Sequence, residues 1–143
     1  MCTRVQFPRY WMSSLLQTHT MSAQSLDPIP SRVWVYVIEC QHDTWYVGTS
    51  KDLNRRLEEH WTHSASRWTK LHRPVRIAAI HRCEGSGTDV LALEKLVTLD
   101  VMRATIERLG PDGWRSVRGG PYCAVDLRDR PRELAAPASV SGG

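Results

Sequence analysis

The sequence lacks a long apolar run, and it lacks any closely spaced pair of cysteines. A membrane-spanning helix needs about 20 consecutive apolar residues, and the 143-residue sequence contains no such stretch. We therefore expect a protein that is not integral to a membrane. The four cysteines, at positions 2, 40, 83 and 123, are far apart. This spacing disfavours a zinc ribbon, a thioredoxin-type redox site and a disulfide framework, and indicates reduced thiols in the cytoplasm.

What the sequence does contain is an ordinary globular composition with a basic balance. Apolar residues make up 41% and charged residues 24% of the chain, as in typical soluble domains. The net charge is +4 and the pI is about 9.1. A basic pI favours an anionic partner such as nucleic acid, although this signal is weak by itself.

The chain is expected to hold one domain between two flanking segments. Residues 1–31 end in two prolines and are predicted to be a disordered extension or linker. Residues 1–26 contain no acidic residue, so organellar targeting is a minor alternative, as is a start at Met21. The working domain is predicted over 32–127. Residues 128–143, rich in Ala, Pro, Ser and Gly towards their end, are predicted to be a disordered tail.

Within the domain, the patterns predict an α/β (α+β) fold with the order β-β-α-β-α. The strands are rich in β-branched and aromatic residues, and the helices have apolar residues one turn apart. Predicted strands lie at 33–39, 45–48 and 75–81, and predicted helices at 51–61 and 88–109. We expect a small three-stranded, mainly antiparallel sheet flanked by helices. Thr49 and Ser50 are the expected cap of the first helix, and Thr88 and Asp89 open the second.

The last predicted helix places a carboxylate within an apolar stripe. Val90, Leu93, Val97 and Val101 share one face of this helix, and Glu94 projects from the same face. Burying an unpaired carboxylate costs several kcal/mol. Glu94 therefore pairs with an arginine, reaches water at the edge of the stripe, or binds a metal ion.

The predicted hairpin carries two tyrosines, Tyr36 and Tyr46, on neighbouring strands. Each could be a packing residue with its hydroxyl at the rim, and the pair could also line a site. Gly48 would let another group approach the backbone closely. A phenol, with an unperturbed pKa of about 10, acts as a general base only beside a cation or metal ion.

The first predicted helix supplies cations. Arg56 and His60 are four residues apart and share a face that adjoins Leu53 and Leu57. We therefore expect Arg56 to point towards the domain, whereas Arg55 is expected to be solvated or to make a nonspecific phosphate contact.

Together these segments resemble the signature of the GIY-YIG nuclease superfamily, in particular its short single-domain members, over about residues 33–110. The matching segments are Val35-Tyr36-Val37, Tyr46-Val47-Gly48, Arg56-Leu57-x-x-His60, Arg67-Trp68-Thr69 with Arg73-Pro74-Val75, and Ala92-Leu93-Glu94-Lys95. The sequence departs from the family at a late active-site asparagine. The only asparagine, Asn54, comes too early, and Ser116 could lie near that position.

The resemblance implies a metal-dependent endonuclease that hydrolyses DNA phosphodiester bonds. It implies Tyr36 as general base, Tyr46 as its neighbour, Arg56 as the phosphate-stabilising cation and His60 as a supporting polar group. It also implies Glu94 as the sole protein ligand of Mg²⁺ or Mn²⁺. The alternative is a catalytically silent nucleic-acid-binding module, or a partner-dependent subunit of a DNA repair or recombination complex.

Exposed basic residues are expected to bind the nucleic acid. The candidates are Lys51, Arg55, Arg67, Lys70, Arg115 and Arg118. The glycines after Arg118 would allow backbone amides to approach a phosphate. Ordinary surface arginines in a turn are the alternative there. DNA is the expected partner, with branched DNA or RNA left open, together with a protein partner that supplies specificity. The expected location is cytoplasmic, associated with the nucleoid in a prokaryote.

Overall fold

The computed structural model describes residues 32–62 and 65–135. The predicted extension at 1–31, with its targeting alternative, lies outside these residues, as does the end of the predicted tail, 136–143. Within the described ranges, no helix is long and apolar enough to cross a bilayer.

The fold is α+β, with a four-stranded sheet and helices on both of its faces. The strands are β1 (Val33–Cys40), β2 (Thr44–Ser50), β3 (Pro74–Cys83) and β4 (Val117–Gly119). The helices are α1 (Leu53–Trp61), α2 (Arg67–Leu71) and α3 (Gly87–Leu109), and short 3₁₀ turns lie at Gly113–Ser116 and Arg132–Leu134. The strand order is β3-β1-β2-β4.

The fold class and the order of the five predicted elements are confirmed, but two short elements are additional. The sheet has four strands rather than three, because β4 pairs in parallel with β2. Only three residues form β4, too few for a strand pattern. Helix α2 has only five residues and lies between the predicted helix at 51–61 and the predicted strand at 75–81, where no element was predicted.

The two faces of the sheet pack against different helices because side chains alternate along a strand. Val35, Val37 and Trp45 belong to the larger core cluster, which includes the buried face of α3. Val90, Val97 and Val101 of the predicted apolar stripe are buried, and Leu93 is half-buried. Tyr36, Ile38 and Cys40 point to the opposite face, where Leu53 and Leu57 of α1 cover them.

The helix starts differ from the predicted ones by a few residues. Asp52 is the N-cap of α1, whereas Thr49 and Ser50 are the last residues of β2. The N-cap of α3 is Ser86, which forms a capping box with Asp89. The predicted end of this helix at residue 109 is confirmed, and the following Gly110 has a φ of 102°, which suits a glycine.

The packed chain continues past residue 127, where the sequence analysis placed the end of the domain. Leu134 is 6% exposed and belongs to the main core cluster. Its 3₁₀ turn is fixed in part by the guanidinium of Arg103, which donates a hydrogen bond of 3.1 Å to the Glu133 carbonyl.

Arg118 is a buried structural residue rather than a nucleic-acid ligand. Its side chain is 4% exposed, and the guanidinium lies 4.4 Å from the ring of Trp68. It donates hydrogen bonds to the carbonyls of Arg115, Val117, Ala124 and Val125. The predicted contact of Arg118 with phosphate is therefore wrong, because the donors that would bind phosphate hold the segment after β4 in place.

Replacement of Arg118 by methionine should destabilise the fold. The change removes the donor of one buried and three partly buried carbonyls, which should lower the free energy of unfolding by about 3 kcal/mol or more. Urea unfolding followed by circular dichroism measures the effect. Arg115→Met is the matched control, because that side chain is 56% exposed and its loss should cost less than about 1 kcal/mol. Equal effects of the two changes would contradict this role of Arg118.

Candidate active site

The pairing of β1 with β2 brings the two tyrosines to one face of the sheet. Tyr36 pairs with Gly48, and Tyr46 pairs with Ile38, two residues further along β1. The tyrosine ring centroids are 6.4 Å apart. A Cβ atom at position 48 would lie 2.5 Å from the Tyr36 hydroxyl oxygen and 2.9 Å from Cε1 of Tyr46. Glycine at this position is therefore what lets the two rings approach each other.

Helix α1 places a buried histidine between the two phenols. The Tyr36 hydroxyl lies 2.7 Å from Nε2 of His60, and the rings of Tyr46 and His60 have centroids 4.9 Å apart. His60 is 0% exposed. The predicted grouping of these three residues is thus present in the structure, with His60 in direct contact with the predicted base.

Burial keeps both members of the Tyr36–His60 pair neutral. Desolvation and then the neighbouring Tyr46 raise the pKa of Tyr36, while a hydrogen bond from Arg56 opposes this shift. Desolvation, followed by the nearby charge of Arg56, lowers the pKa of His60 to about 4. At neutral pH the Tyr36 phenol therefore holds its proton, and the His60 imidazole is uncharged.

Arg56 and Arg55 differ as the sequence predicts. The side chain of Arg56 is 34% exposed and forms an ion pair of 2.9 Å with Glu59. Burial lowers the pKa of Arg56, but hydrogen bonds to Glu59 and Tyr36 outweigh it, so the net shift is upward. Arg55 is 75% exposed and lies 3.6 Å from Glu59. The charge of Arg56 is therefore directed at the tyrosines, and that of Arg55 at solvent.

Glu94 lies on α3, and its charge is near enough to affect the two tyrosines. Its Oε1 atom accepts a hydrogen bond of 3.2 Å from the backbone N–H of Gly120, which follows β4. Burial raises the pKa of Glu94, and this hydrogen bond opposes the shift. The negative charge of Glu94 also contributes to the raised pKa of both Tyr36 and Tyr46. Of the three readings of Glu94, the arginine ion pair finds no support among the described residues.

The donor set suits a weakly held hard cation. A carboxylate oxygen is a ligand that Mg²⁺ accepts, and Oε2 of Glu94 has no hydrogen-bond partner in the part of the chain that the structure describes. No group of three or more His, Cys, Asp or Glu side chains comes together within residues 32–62 and 65–135. The residues present therefore fit a divalent ion with one protein ligand.

The remaining predicted basic residues lie at the surface. Lys51, Arg55, Arg67, Lys70 and Arg115 are exposed. Arg67 lines an open cavity of about 640 Å³ that Tyr46 also lines. The other lining residues are Ser66 and Trp68 of the α2 region and residues 123–126. The cavity gives solvent a path to the second tyrosine.

Three contacts of the site were not predicted from the sequence. Thr69 lies with its hydroxyl oxygen 3.0 Å from Nδ1 of His60, Glu59 holds Arg56, and Gly120 holds Glu94. The spacing of Ser66 and Thr69, an N-cap and the third residue after it, could have indicated α2 and thereby Thr69. Glu59 and Gly120 carry no comparable signal.

Comparison with known families assigns this site to a class. Residues 32–99 match the family model of the GIY-YIG catalytic domain, which confirms the resemblance to the GIY-YIG superfamily over this range. Tyr36, Tyr46, Arg56, His60 and Glu94 all lie within the matched range.

Among individual proteins, the chain is similar to members of a group named UPF0213. It is 25% identical over 89 residues to UPF0213 protein BH0048 of Halalkalibacterium halodurans, covering 62% of this chain and 87% of that protein. It is 36% identical over 42 residues to UPF0213 protein YazA of Bacillus subtilis, covering 29% of this chain and 42% of YazA. With UPF0213 protein FN1575 of Fusobacterium nucleatum it shares 31% identity over 51 residues, 36% of this chain and 51% of that protein. The chain thus spans about half or less of the latter two proteins. No solved structure gives a significant match.

The buried His60 should make stability depend on pH in a defined window. Its folded pKa is about 4, against an ordinary value of 6.5, so the unfolded chain binds a proton first as the pH falls. The contribution of His60 is full above pH 6.5 and is lost towards pH 4, by up to roughly 1.4 kcal/mol per pH unit. Urea unfolding across this range should show a shallower slope for His60→Gln than for the unmodified chain. Because burial also lowers the pKa of His72 and His81, the difference between the two proteins is the informative quantity. A His60 imidazole that titrates near 6.5 by NMR would contradict it.

Proposed function

We propose that this chain is a metal-dependent endonuclease that hydrolyses phosphodiester bonds in DNA. The observation that supports this most is the buried 2.7 Å contact between the Tyr36 hydroxyl and His60, with Arg56 and Glu94 close enough to shift the pKa of Tyr36. A packing tyrosine needs a hydrogen-bond partner, but it needs neither a guanidinium nor a half-buried carboxylate beside it. The resemblance to the GIY-YIG superfamily supports the same activity.

Tyr36 acts in this proposal as the general base. Its hydroxyl oxygen takes a proton from the attacking water while its own proton passes to Nε2 of His60. The raised pKa of Tyr36 and the low pKa of His60 both oppose charge separation. The proton therefore moves only as negative charge develops on the phosphoryl group, and Arg56 stabilises the phenolate through its hydrogen bond.

Arg56 also neutralises charge on the phosphoryl oxygens. About a third of its side chain reaches solvent while the ion pair with Glu59 fixes its position, so the guanidinium retains donors that can face a bound phosphate. Preorganised charge of this kind is often the largest single contribution to catalysis.

Glu94 is the proposed ligand of Mg²⁺ or Mn²⁺. The bound ion would polarise a phosphodiester oxygen and stabilise the leaving oxygen. The hydrogen bond from Gly120 to Oε1 fixes the carboxylate and leaves Oε2 available. Because a single carboxylate binds Mg²⁺ weakly, substrate phosphate and water complete the coordination, and the free protein holds the ion poorly.

The exposed basic residues supply the grip on the nucleic acid. Lys51, Arg55, Arg67, Lys70 and Arg115 are candidates for phosphate contacts, which position a substrate without reading its sequence. The preferred form of DNA, or a protein partner in repair or recombination, therefore sets the specificity. Branched DNA and RNA belong among the substrates to be tested.

The decisive experiment compares cleavage by the unmodified chain and by Glu94→Gln. Supercoiled, linear, branched and single-stranded DNA and RNA are incubated with Mg²⁺, Mn²⁺ or EDTA. We expect metal-dependent breaks that fall by about 100-fold or more in Glu94→Gln. Glu107→Gln, at an exposed position of the same helix, should cleave normally. DNA binding without cleavage by the unmodified protein would favour the silent binding module or the partner-dependent subunit instead.

The two neighbouring arginines offer a second matched comparison. Arg56→Gln should lower kcat by about 100-fold, because it removes the charge beside Tyr36 and the phosphate. Arg55→Gln removes an exposed charge and should change mainly binding and its salt dependence. Steady-state cleavage at several salt concentrations separates the two effects. Similar losses of kcat in both variants would argue against the separate roles of these residues.

A further inference from the structure

A chain of hydrogen bonds, buried at His60 and partly buried at Ser66, leads from the site to α2. Nε2 of His60 faces Tyr36, and Nδ1 faces the hydroxyl of Thr69 at 3.0 Å. Thr69 is 0% exposed. Its oxygen also lies 2.8 Å from the Ser66 hydroxyl and 3.3 Å from the Ser66 carbonyl. Ser66, at the far end of this chain, lines the open cavity beside Tyr46.

Counting protons at Thr69 gives this chain a direction. A hydroxyl donates one hydrogen bond and accepts two. The Thr69 hydroxyl is placed to donate to the Ser66 carbonyl at 3.3 Å, and this carbonyl also accepts the backbone N–H of Lys70 at 3.1 Å. The Thr69 oxygen then accepts from the Ser66 hydroxyl and from Nδ1–H of His60. This arrangement uses the donors and acceptors around Thr69 without conflict.

The Tyr36 end gives the same direction independently. The acceptor for the phenol O–H among the described residues is Nε2 of His60, at 2.7 Å. If Nε2 carried the proton instead, the proton of the fully buried Tyr36 hydroxyl would lack a partner among these residues, which is costly.

We propose that Thr69 is a positioning residue, which fixes His60 as the tautomer protonated on Nδ1 and thereby presents Nε2 to Tyr36 as a proton acceptor. The catalytic consequence of this role rests on the proposed function, whereas the tautomer itself does not. In histidine sites generally, the hydrogen bond made by one ring nitrogen determines which of the two nitrogens carries the proton.

The test uses NMR and kinetics on the full chain. Long-range ¹H–¹⁵N correlations of histidine rings distinguish the tautomers, and His60→Gln identifies the signals of His60. We expect the Nδ1–H form in the unmodified protein at pH 7. In Thr69→Val, which removes the hydroxyl at similar size, we expect a loss of that form. In Thr69→Ser, which keeps the hydroxyl, we expect its return.

Cleavage should follow the tautomer. Thr69→Val should lower kcat by about 10- to 100-fold with little change in KM, and Thr69→Ser should restore most of the rate. An Nε2–H tautomer in the unmodified protein would overturn the inference without any variant, even if Thr69→Val failed to fold. An unchanged Nδ1–H tautomer in folded Thr69→Val would overturn it as well. Absence of cleavage by the unmodified protein would count against the proposed function, while the NMR result would still decide the assignment.

Discussion

The site depends on one buried polar contact, the hydrogen bond between the Tyr36 hydroxyl and Nε2 of His60. Both side chains are 0% exposed, and they lie in a layer with apolar neighbours from β1 and α1. A buried hydroxyl or imidazole nitrogen without a partner costs about 1–3 kcal/mol, so each group constrains the other. The register of β1 and β2 fixes Tyr36, the packing of α1 fixes His60, and the absence of a side chain at Gly48 leaves space for the phenol.

Glu94 is held by a different set of contacts, which involve the residues that follow β4. Glu94 belongs to α3, but its orientation depends on the N–H of Gly120, which follows β4. Arg118 in turn holds β4 to the segment that forms one wall of the cavity, through the carbonyls of Ala124 and Val125. A buried arginine without direct access to substrate thus helps to position both the carboxylate and the cavity wall. The donors of its guanidinium bind backbone carbonyls. The sequence does not show these contacts, so Arg118 was wrongly predicted to bind nucleic acid.

The sequence predicts what local patterns determine. The β1–β2 hairpin, the apolar stripe of α3 and the inward direction of Arg56 follow from side-chain spacing, and the structure contains all three. The structure also brings Tyr36, Tyr46 and His60 together as predicted, although their catalytic roles stay predictions. Helix α2 and strand β4 have at most five residues each, too few for a pattern of apolar side chains, and the cap spacing of Ser66 and Thr69 is the one local signal for α2. The pairing of β4 with β2 joins residues about seventy positions apart in the sequence.

Side-chain partners of the site were the least predictable part. Thr69, Glu59 and Gly120 hold His60, Arg56 and Glu94 in place. No sequence motif identifies these three residues as partners of the site. Thr69 belongs to the Arg67-Trp68-Thr69 segment that resembles the family. Only the folded structure shows that its hydroxyl lies beside His60. Hydrogen-bond direction, rather than residue type, distinguishes this threonine from a packing residue, and direction requires coordinates.

Burial raises the pKa of Tyr36 and the positive charge of Arg56 lowers it. The balance of these effects indicates when the site becomes reactive. Desolvation raises the pKa of Tyr36 and lowers that of His60, so the isolated protein favours the neutral pair. The negative charge of Glu94 raises the pKa of Tyr36 further. Under the proposed function, a divalent cation on Glu94 would reverse this last contribution and make the phenol more acidic, because an added positive charge favours the phenolate. Substrate phosphate is needed to hold that cation, since one carboxylate binds it weakly. The phenol would therefore give up its proton to His60 more readily when nucleic acid and metal ion are both present, which limits proton transfer in the absence of substrate.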